Sequence, residues 1–134
     1  MKKKVLGLLL ILIVPLCLTG CGSEDNKTES NKQDYTFENL KTDLTALDSN
    51  IEINQKSAEM LGAEEGYGYI MSDCTIEVYK FDKSSSAYKT DEKDQKLSMP
   101  SLDMSFDATV KNGYAYMITD GTCDQTIKYV EKLN

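Results

Sequence analysis

Between Leu102 and Lys111 the chain alternates without a break. Leu102, Met104, Phe106, Ala108 and Val110 take one side, while Asp103, Ser105, Asp107, Thr109 and Lys111 take the other. Successive strand side chains point to opposite faces, so this stretch demands a sheet with one buried and one wetted face. Asn112-Gly113 follows, a pair that accepts the positive backbone angles of a type I′ turn, and Tyr114 to Thr119 is expected to return as the next strand.

The preceding residues supply two more strands and three helical segments. Thr36 can cap a helix carrying Phe37, Leu40, Leu44 and Leu47 on one stripe, and Asp48-Ser49-Asn50 ends it. Ile51 to Ile53 reads as a short extended piece, and Asn54 caps a brief helix, Gln55 to Leu61, that stops at Gly62. Tyr67 to Met71 and Thr75 to Phe81 are rich in aromatic and branched residues and form a hairpin across Ser72-Asp73-Cys74. Ser84 to Lys93 reads as a polar helix. The capping-box pattern Thr122-Cys123-Asp124-Gln125 opens a last helix with Ile127, Val130 and Leu133 on one stripe. This order predicts an α+β fold: a four-stranded, mainly antiparallel sheet with helices on one face, in two layers.

The first residues read differently. Lys2, Lys3 and Lys4 precede an apolar run from Val5 to Leu18, interrupted by Gly7 and Pro15 and followed by Thr19 and Gly20. The run is shorter than the roughly 20 residues that span a bilayer, and the layout is that of a secretory signal. Its end, Leu18-Thr19-Gly20-Cys21, resembles the lipobox of bacterial lipoproteins. That resemblance implies transfer of a diacylglyceryl group to the Cys21 thiol and cleavage before it by signal peptidase II. The organisation expected is then a signal peptide over 1–20, lipidated Cys21 with a tether over 21–34, and one α+β domain over 35–134. From Gly22 to Asp34 the chain lacks apolar residues that could offset the entropy of ordering, so it should serve as a flexible tether.

Charge and composition narrow the function. Three of the fifteen basic residues leave with the leader while all twenty-two acids remain, so a net charge of −7 becomes −10. A field of that sign disfavours nucleic acid and anionic headgroups, leaving a lipid anchor as the means of holding the membrane. Every basic residue is Lys; Arg, His and Trp are absent. Chemistry that needs an imidazole proton shuttle or a guanidinium fork is thereby excluded. No motif implies a cofactor. Paired acids such as Glu64-Glu65 and Asp91-Glu92-Asp94 read as solvated surface in so acidic a chain.

Three groups of residues remain as candidates. With Cys17 in the leader and Cys21 lipidated, Cys74 and Cys123 are the two free thiols. Outside the cytoplasm they form either a disulfide or a pair of buried reduced side chains. Asp48, Asn50, Glu52, Asn54 and Glu59 fall at the ligand spacing of a calcium loop, but Ile53 stands where the sharp turn needs glycine. Tyr67, Tyr69, Tyr114 and Tyr116 pair at period two on two strands, and Tyr79 lies on another. They make either an exposed recognition face or the underside of the helices.

Leu61-Gly62-Ala63, the run Ile76-Glu77-Val78-Tyr79-Lys80-Phe81-Asp82 and Asn112-Gly113-Tyr114 make the mature part similar to small, functionally uncharacterised lipoproteins of low-GC Gram-positive bacteria. The resemblance implies a fold and transfers no catalytic residue. The expected function is that of a non-enzymatic, membrane-anchored binding module meeting an envelope protein or glycan on the extracytoplasmic side. The alternatives are a small envelope enzyme or accessory subunit using carboxylates and Tyr, and a calcium- or thiol-dependent envelope protein.

Overall fold

The computed structural model describes residues 33–134, and the leader, Cys21 and most of the tether lie outside that range. The chain enters at Tyr35, whose amide donates to Asn134 Oδ1 at 2.8 Å. Helix α1 spans Phe37–Leu47, and its first turn is closed by Asn39 Oδ1, which accepts from the Thr36 amide and hydroxyl. The apolar stripe read from the sequence buries Phe37, Leu40 and Leu44, whereas Leu47 is exposed.

Strand β1 (Glu52–Gln55) pairs antiparallel with β2 (Glu65–Ile70), which forms a hairpin with β3 (Cys74–Lys80). Between β1 and β2 the expected helix is only a 3-10 turn, Ala58–Leu61, because Gln55 is drawn into β1 opposite Tyr67. Helix α2 (Ser86–Asp94) is capped by the Ser85 hydroxyl, which accepts from the Tyr88 amide. Strands β4 (Lys96–Met99) and β5 (Met104–Asp107) form a separate two-stranded ribbon around a 3-10 turn at Pro100–Leu102. Strands β6 (Thr109–Lys111) and β7 (Tyr114–Gly121) complete the main sheet, and α3 (Asp124–Val130) ends the fold. The capping box expected at Thr122 does not form. Cys123 occupies the N-cap and makes no side-chain cap.

The protein is thus α+β with an antiparallel sheet and three helices, but the sheet has five strands, in the order β1-β2-β3-β7-β6. The alternating stretch does not form one strand. Its pairing changes at Ala108: Met104–Asp107 lies against β4, and Thr109–Lys111 lies against β7. Leu102 and Met104 are therefore exposed while Val110 is buried.

The expectation of helices on one face is also corrected. Ile53, Tyr69, Ile76, Val78, Tyr114 and Tyr116 pack with α1 and α3 on one side. Tyr79, Val110 and Ala115 pack on the other side with Ala58, Leu61, Tyr88 of α2 and Leu97 of the ribbon. Both faces are covered because both alternating sets on β3 and β7 include apolar side chains.

The outer edge of β6 is closed by a side chain. Gln95 sits in the left-handed region at φ 51. Its Nε2 donates to the Val110 carbonyl at 3.0 Å and its Oε1 accepts from the Val110 amide at 3.1 Å. One amide side chain so supplies the two bonds that a sixth strand would make, which blunts a sheet edge. No helix among the described residues is long and apolar enough to cross a membrane.

Glycines make a sharp contrast. Gly121 has φ +70, and a Cβ there would overlap the Asp73 carbonyl oxygen beside the hairpin. At Gly68 a Cβ would meet only the far end of the Lys56 side chain, at 2.6 Å from Cε. We expect Gly121→Ala to cost at least about 2 kcal/mol, from positive φ and backbone overlap together, and Gly68→Ala about 1 kcal/mol or less. Urea unfolding of the two variants checks this; equal losses would contradict the account.

Candidate functional site

Three segments converge to form a groove on the sheet side away from α1 and α3. The 3-10 turn contributes Glu59, Met60 and Leu61, α2 contributes Ser86, Ala87, Thr90 and Asp91, and the ribbon region contributes Ser98, Pro100 and Ser101. The groove encloses about 520 Å³ and its walls are mainly carbon. Gly62 allows the close approach at one wall, since a Cβ there would sit 2.8 Å from the Ala87 Cβ. An adjoining hollow of about 410 Å³, lined by residues 55–59 with Glu64 and Glu65, shares Glu59 with it.

Asp91 is the unusual member. Its side chain is 1 % exposed, although the run Asp91-Glu92-Asp94 reads as solvated surface in the sequence. The reason is helical spacing: Asp91 lies one turn beyond Tyr88, which is the buried anchor of α2, so it shares the inward face. That i to i+3 relation is the signal that could have marked it. Asp91 Oδ2 accepts from the Ser98 amide at 3.4 Å. Desolvation pushes its pKa up, Asp94 adds to the shift, and hydrogen bonding from Ser98 opposes it.

Tyr88 next to it is tied at both sides of its hydroxyl, donating to Glu92 Oε1 at 2.6 Å and accepting from the Gly113 amide at 3.0 Å. These bonds fix α2 against the β6–β7 turn and so hold one wall of the groove.

The tyrosines do not make an open recognition face. Tyr67, Tyr69, Tyr114 and Tyr116 do share one sheet face, but α1 and α3 cover it, leaving Tyr69, Tyr114 and Tyr116 buried and Tyr67 half-buried. Phe37 inserts between Tyr67 and Tyr114, with ring centroids 5.1 and 5.5 Å away and near-perpendicular planes. Tyr79 is buried on the opposite face, where its hydroxyl donates to Glu77 Oε2 at 2.6 Å. Burial pushes the Tyr69 and Tyr79 phenols well above their usual range. Glu77 is held in turn by Lys56 at 2.6 Å.

Cys74 and Cys123 are joined by a disulfide, with their Cα atoms 5.3 Å apart and the two residues 49 positions apart in sequence. It links the start of β3 to the start of α3, and both cysteines are buried. Such a loop closure stabilises by about 2–4 kcal/mol. Beside it the Thr126 hydroxyl donates to the Met71 sulfur at 3.1 Å.

The residues at calcium-loop spacing do not form a loop. Glu52–Gln55 is extended and paired with β2, so Ile53 faces the core between neighbours that point the other way. Asp48 instead ties the end of α1 to the β2–β3 turn, accepting from the Ser72 amide and hydroxyl at 2.8 and 2.6 Å and from the Asn50 amide at 2.9 Å. These bonds hold its carboxyl below the usual range. No cluster of metal-ligating side chains occurs among the described residues. Cys21 lies outside the described residues.

No family model, curated protein or solved structure matches the chain.

The upward shift at Asp91 has a measurable consequence. A carboxyl whose pKa is raised on folding favours the native state below its unfolded pKa and loses that contribution as pH rises through the folded value. Asp91→Asn lacks this dependence. The melting temperature of the wild type relative to Asp91→Asn should therefore fall as pH is raised from about 4 towards neutrality. Parallel melting curves across that range would refute the assignment.

Proposed function

We propose that the protein is a lipid-anchored, extracytoplasmic binding module, without enzymatic activity, that presents the groove between the 3-10 turn, α2 and Pro100–Ser101 to a partner in the cell envelope. The observation that carries the reading is the groove's position. The chain enters the domain at Tyr35, beside Asn134 and the α1–α3 layer, whereas the groove belongs to the opposite layer. The point of entry and the groove thus lie on different layers of the domain.

Two further features support it. The lipobox-like Leu18-Thr19-Gly20-Cys21 supplies the anchoring cysteine. The buried Cys74–Cys123 disulfide suits an oxidising compartment. The reading without catalysis draws on the tyrosines: burial and raised phenol pKa values keep Tyr69 and Tyr79 from acting as exposed acids or bases.

Anchoring and binding are tested separately. Cys21→Ser in the full chain should abolish maturation and release or mislocalise the protein on cell fractionation; unchanged processing and membrane sedimentation would reject the anchor. A photo-crosslinking residue at Ala87 or Ser101 should capture a discrete envelope component in intact cells. The same residue at Lys128, on α3 in the opposite layer, should not. Equal capture from both layers, or none from the groove, would reject the binding reading.

A further inference from the structure

We propose that the outer edge of β1 pairs antiparallel with β1 of a second copy, with Asn54 on the two-fold axis and Glu52 opposite Lys56 of that copy, so that two anchored domains share one continuous sheet. This rests on the anchored reading above for the concentration at which two copies meet, and adds a partner that the reading does not name.

The two ends of the five-stranded sheet are finished differently. At β6 the Val110 amide and carbonyl are both taken by Gln95. β1 is the other end, and no such clamp meets it among the described residues. Glu52, Asn54 and Gln55 are exposed there. The ladder shows which backbone groups are free. The Lys56 amide donates to the Gly66 carbonyl at 2.9 Å, and Asn54 and Glu52 stand opposite Gly68 and Ile70 in the same register. Bonding alternates along an antiparallel strand, so residues 52, 54 and 56 turn their backbone groups to β2, while Ile53 and Gln55 turn theirs outward.

Those groups select one register. Setting Ile53 against Gln55 of the second copy, and the reverse, makes four main-chain bonds and brings the two Asn54 residues face to face. Centring on Ile53 would set Gln55 opposite Ile51, whose amide already donates to the Asp48 carbonyl at 3.2 Å. Centring on Gln55 would call on Ser57, which has turned into the 3-10 segment. In the selected register the charges complement each other. Glu52, Asn54 and Lys56 share one face, and Glu52 meets Lys56 of the other copy twice, with no like charges opposed. Lys56 is held by Glu77 at 2.6 Å, yet its side chain is 37 % exposed and open to a second carboxylate.

The symmetry also suits a common membrane. A two-fold axis through this pairing runs normal to the sheet, so the α1–α3 layers of both copies fall on one side. Both Tyr35 entry points then share that side, and both grooves face the other. The contact is small beside the roughly 1,200–2,000 Å² of a stable interface. The net charge of −10 after loss of the leader also opposes association in free solution. Confinement to one surface raises the local concentration and supplies what the contact lacks.

The test uses the full chain in membranes of the cells that make it, carrying Asn54→Cys and treated with a mild oxidant. Facing Cα atoms at a non-hydrogen-bonded position lie about 4.5 Å apart, within reach of a disulfide. Asn54→Cys should give a reducible dimer at a yield at least about tenfold above that of Glu52→Cys, whose two copies stand about 13 Å apart along the strands. Adding Gln55→Pro, which removes an outward amide and spares the bonds to β2, should lower the Asn54→Cys yield at least about tenfold. An unchanged melting transition confirms that this variant keeps its fold. Glu52→Lys, an exposed change, is the second probe and should lower the yield about threefold by opposing like charges. No dimer from Asn54→Cys, equal yields from Asn54→Cys and Glu52→Cys, or a yield that neither further substitution lowers would each overturn the proposal. Fractionation of the same cells reports the anchor separately. Loss of membrane sedimentation would count against the anchored reading, and a missing crosslink in sedimenting protein against the shared sheet.

Discussion

Strand β3 is paired on both edges and packed on both faces, and the remainder of the fold is arranged to satisfy it. Ile76 and Val78 enter the core beneath α1 and α3, while Tyr79 enters the core beneath α2. One strand therefore stitches two apolar layers together, and neither layer can loosen without exposing it. The glycines opposite are part of the same constraint. Gly66 and Gly68 face Tyr79 and Glu77 across the β2–β3 ladder. Their lack of side chains leaves room for the Tyr79 ring and for Lys56 to lie flat against the sheet. The Lys56–Glu77–Tyr79 chain of polar contacts thus occupies what would otherwise be a bare strip of backbone.

The disulfide extends the control exercised by β3. It fastens the first residue of β3, where the ladder with β7 is already irregular, to the N-cap residue of α3. Between Thr75 and Ile76 the pairing slips, so that Thr119 has no partner of its own. Covalent closure at Cys74 holds the strand end where ladder hydrogen bonding is poorest. A chain of this size gains much from such a link, since its core is modest.

Much of this was legible. The helix at Phe37–Leu47, the β2–β3 hairpin and the turn at Asn112-Gly113 follow from spacing and local chemistry, and the structure has them. The α+β class follows from their order. What the sequence hid was partnership. Period two reports which way a side chain points and is silent on which strand lies alongside, so the run from Leu102 to Lys111 read as one strand when it serves two sheets. The ribbon strand β4 was missed for a related reason: Lys96–Met99 has one fully buried residue, Leu97, too little to form a pattern. At the groove the difficulty was composition. In a chain with twenty-two acids a buried Asp91 resembles its solvated neighbours until the helix face is drawn. The tyrosine pairs show the converse. Their common face was readable, but whether helices covered it depended on where α1 and α3 docked.

The clasp at the entry to the domain bears on mechanics. Tyr35 is held through its amide by Asn134 and through its hydroxyl by Asp43, and the Lys132 ammonium lies 5.4 Å from its ring centre and 4.3 Å from that of Tyr129. Tension arriving along the preceding residues loads this knot of α1 and the segment after α3 before it reaches any strand. The five-stranded ladder and its covalent link stand behind it in series, shielded from the first pull. A load applied at this point of entry would break, at first, only a few aromatic and polar contacts and would leave the shape of the opposite surface unchanged.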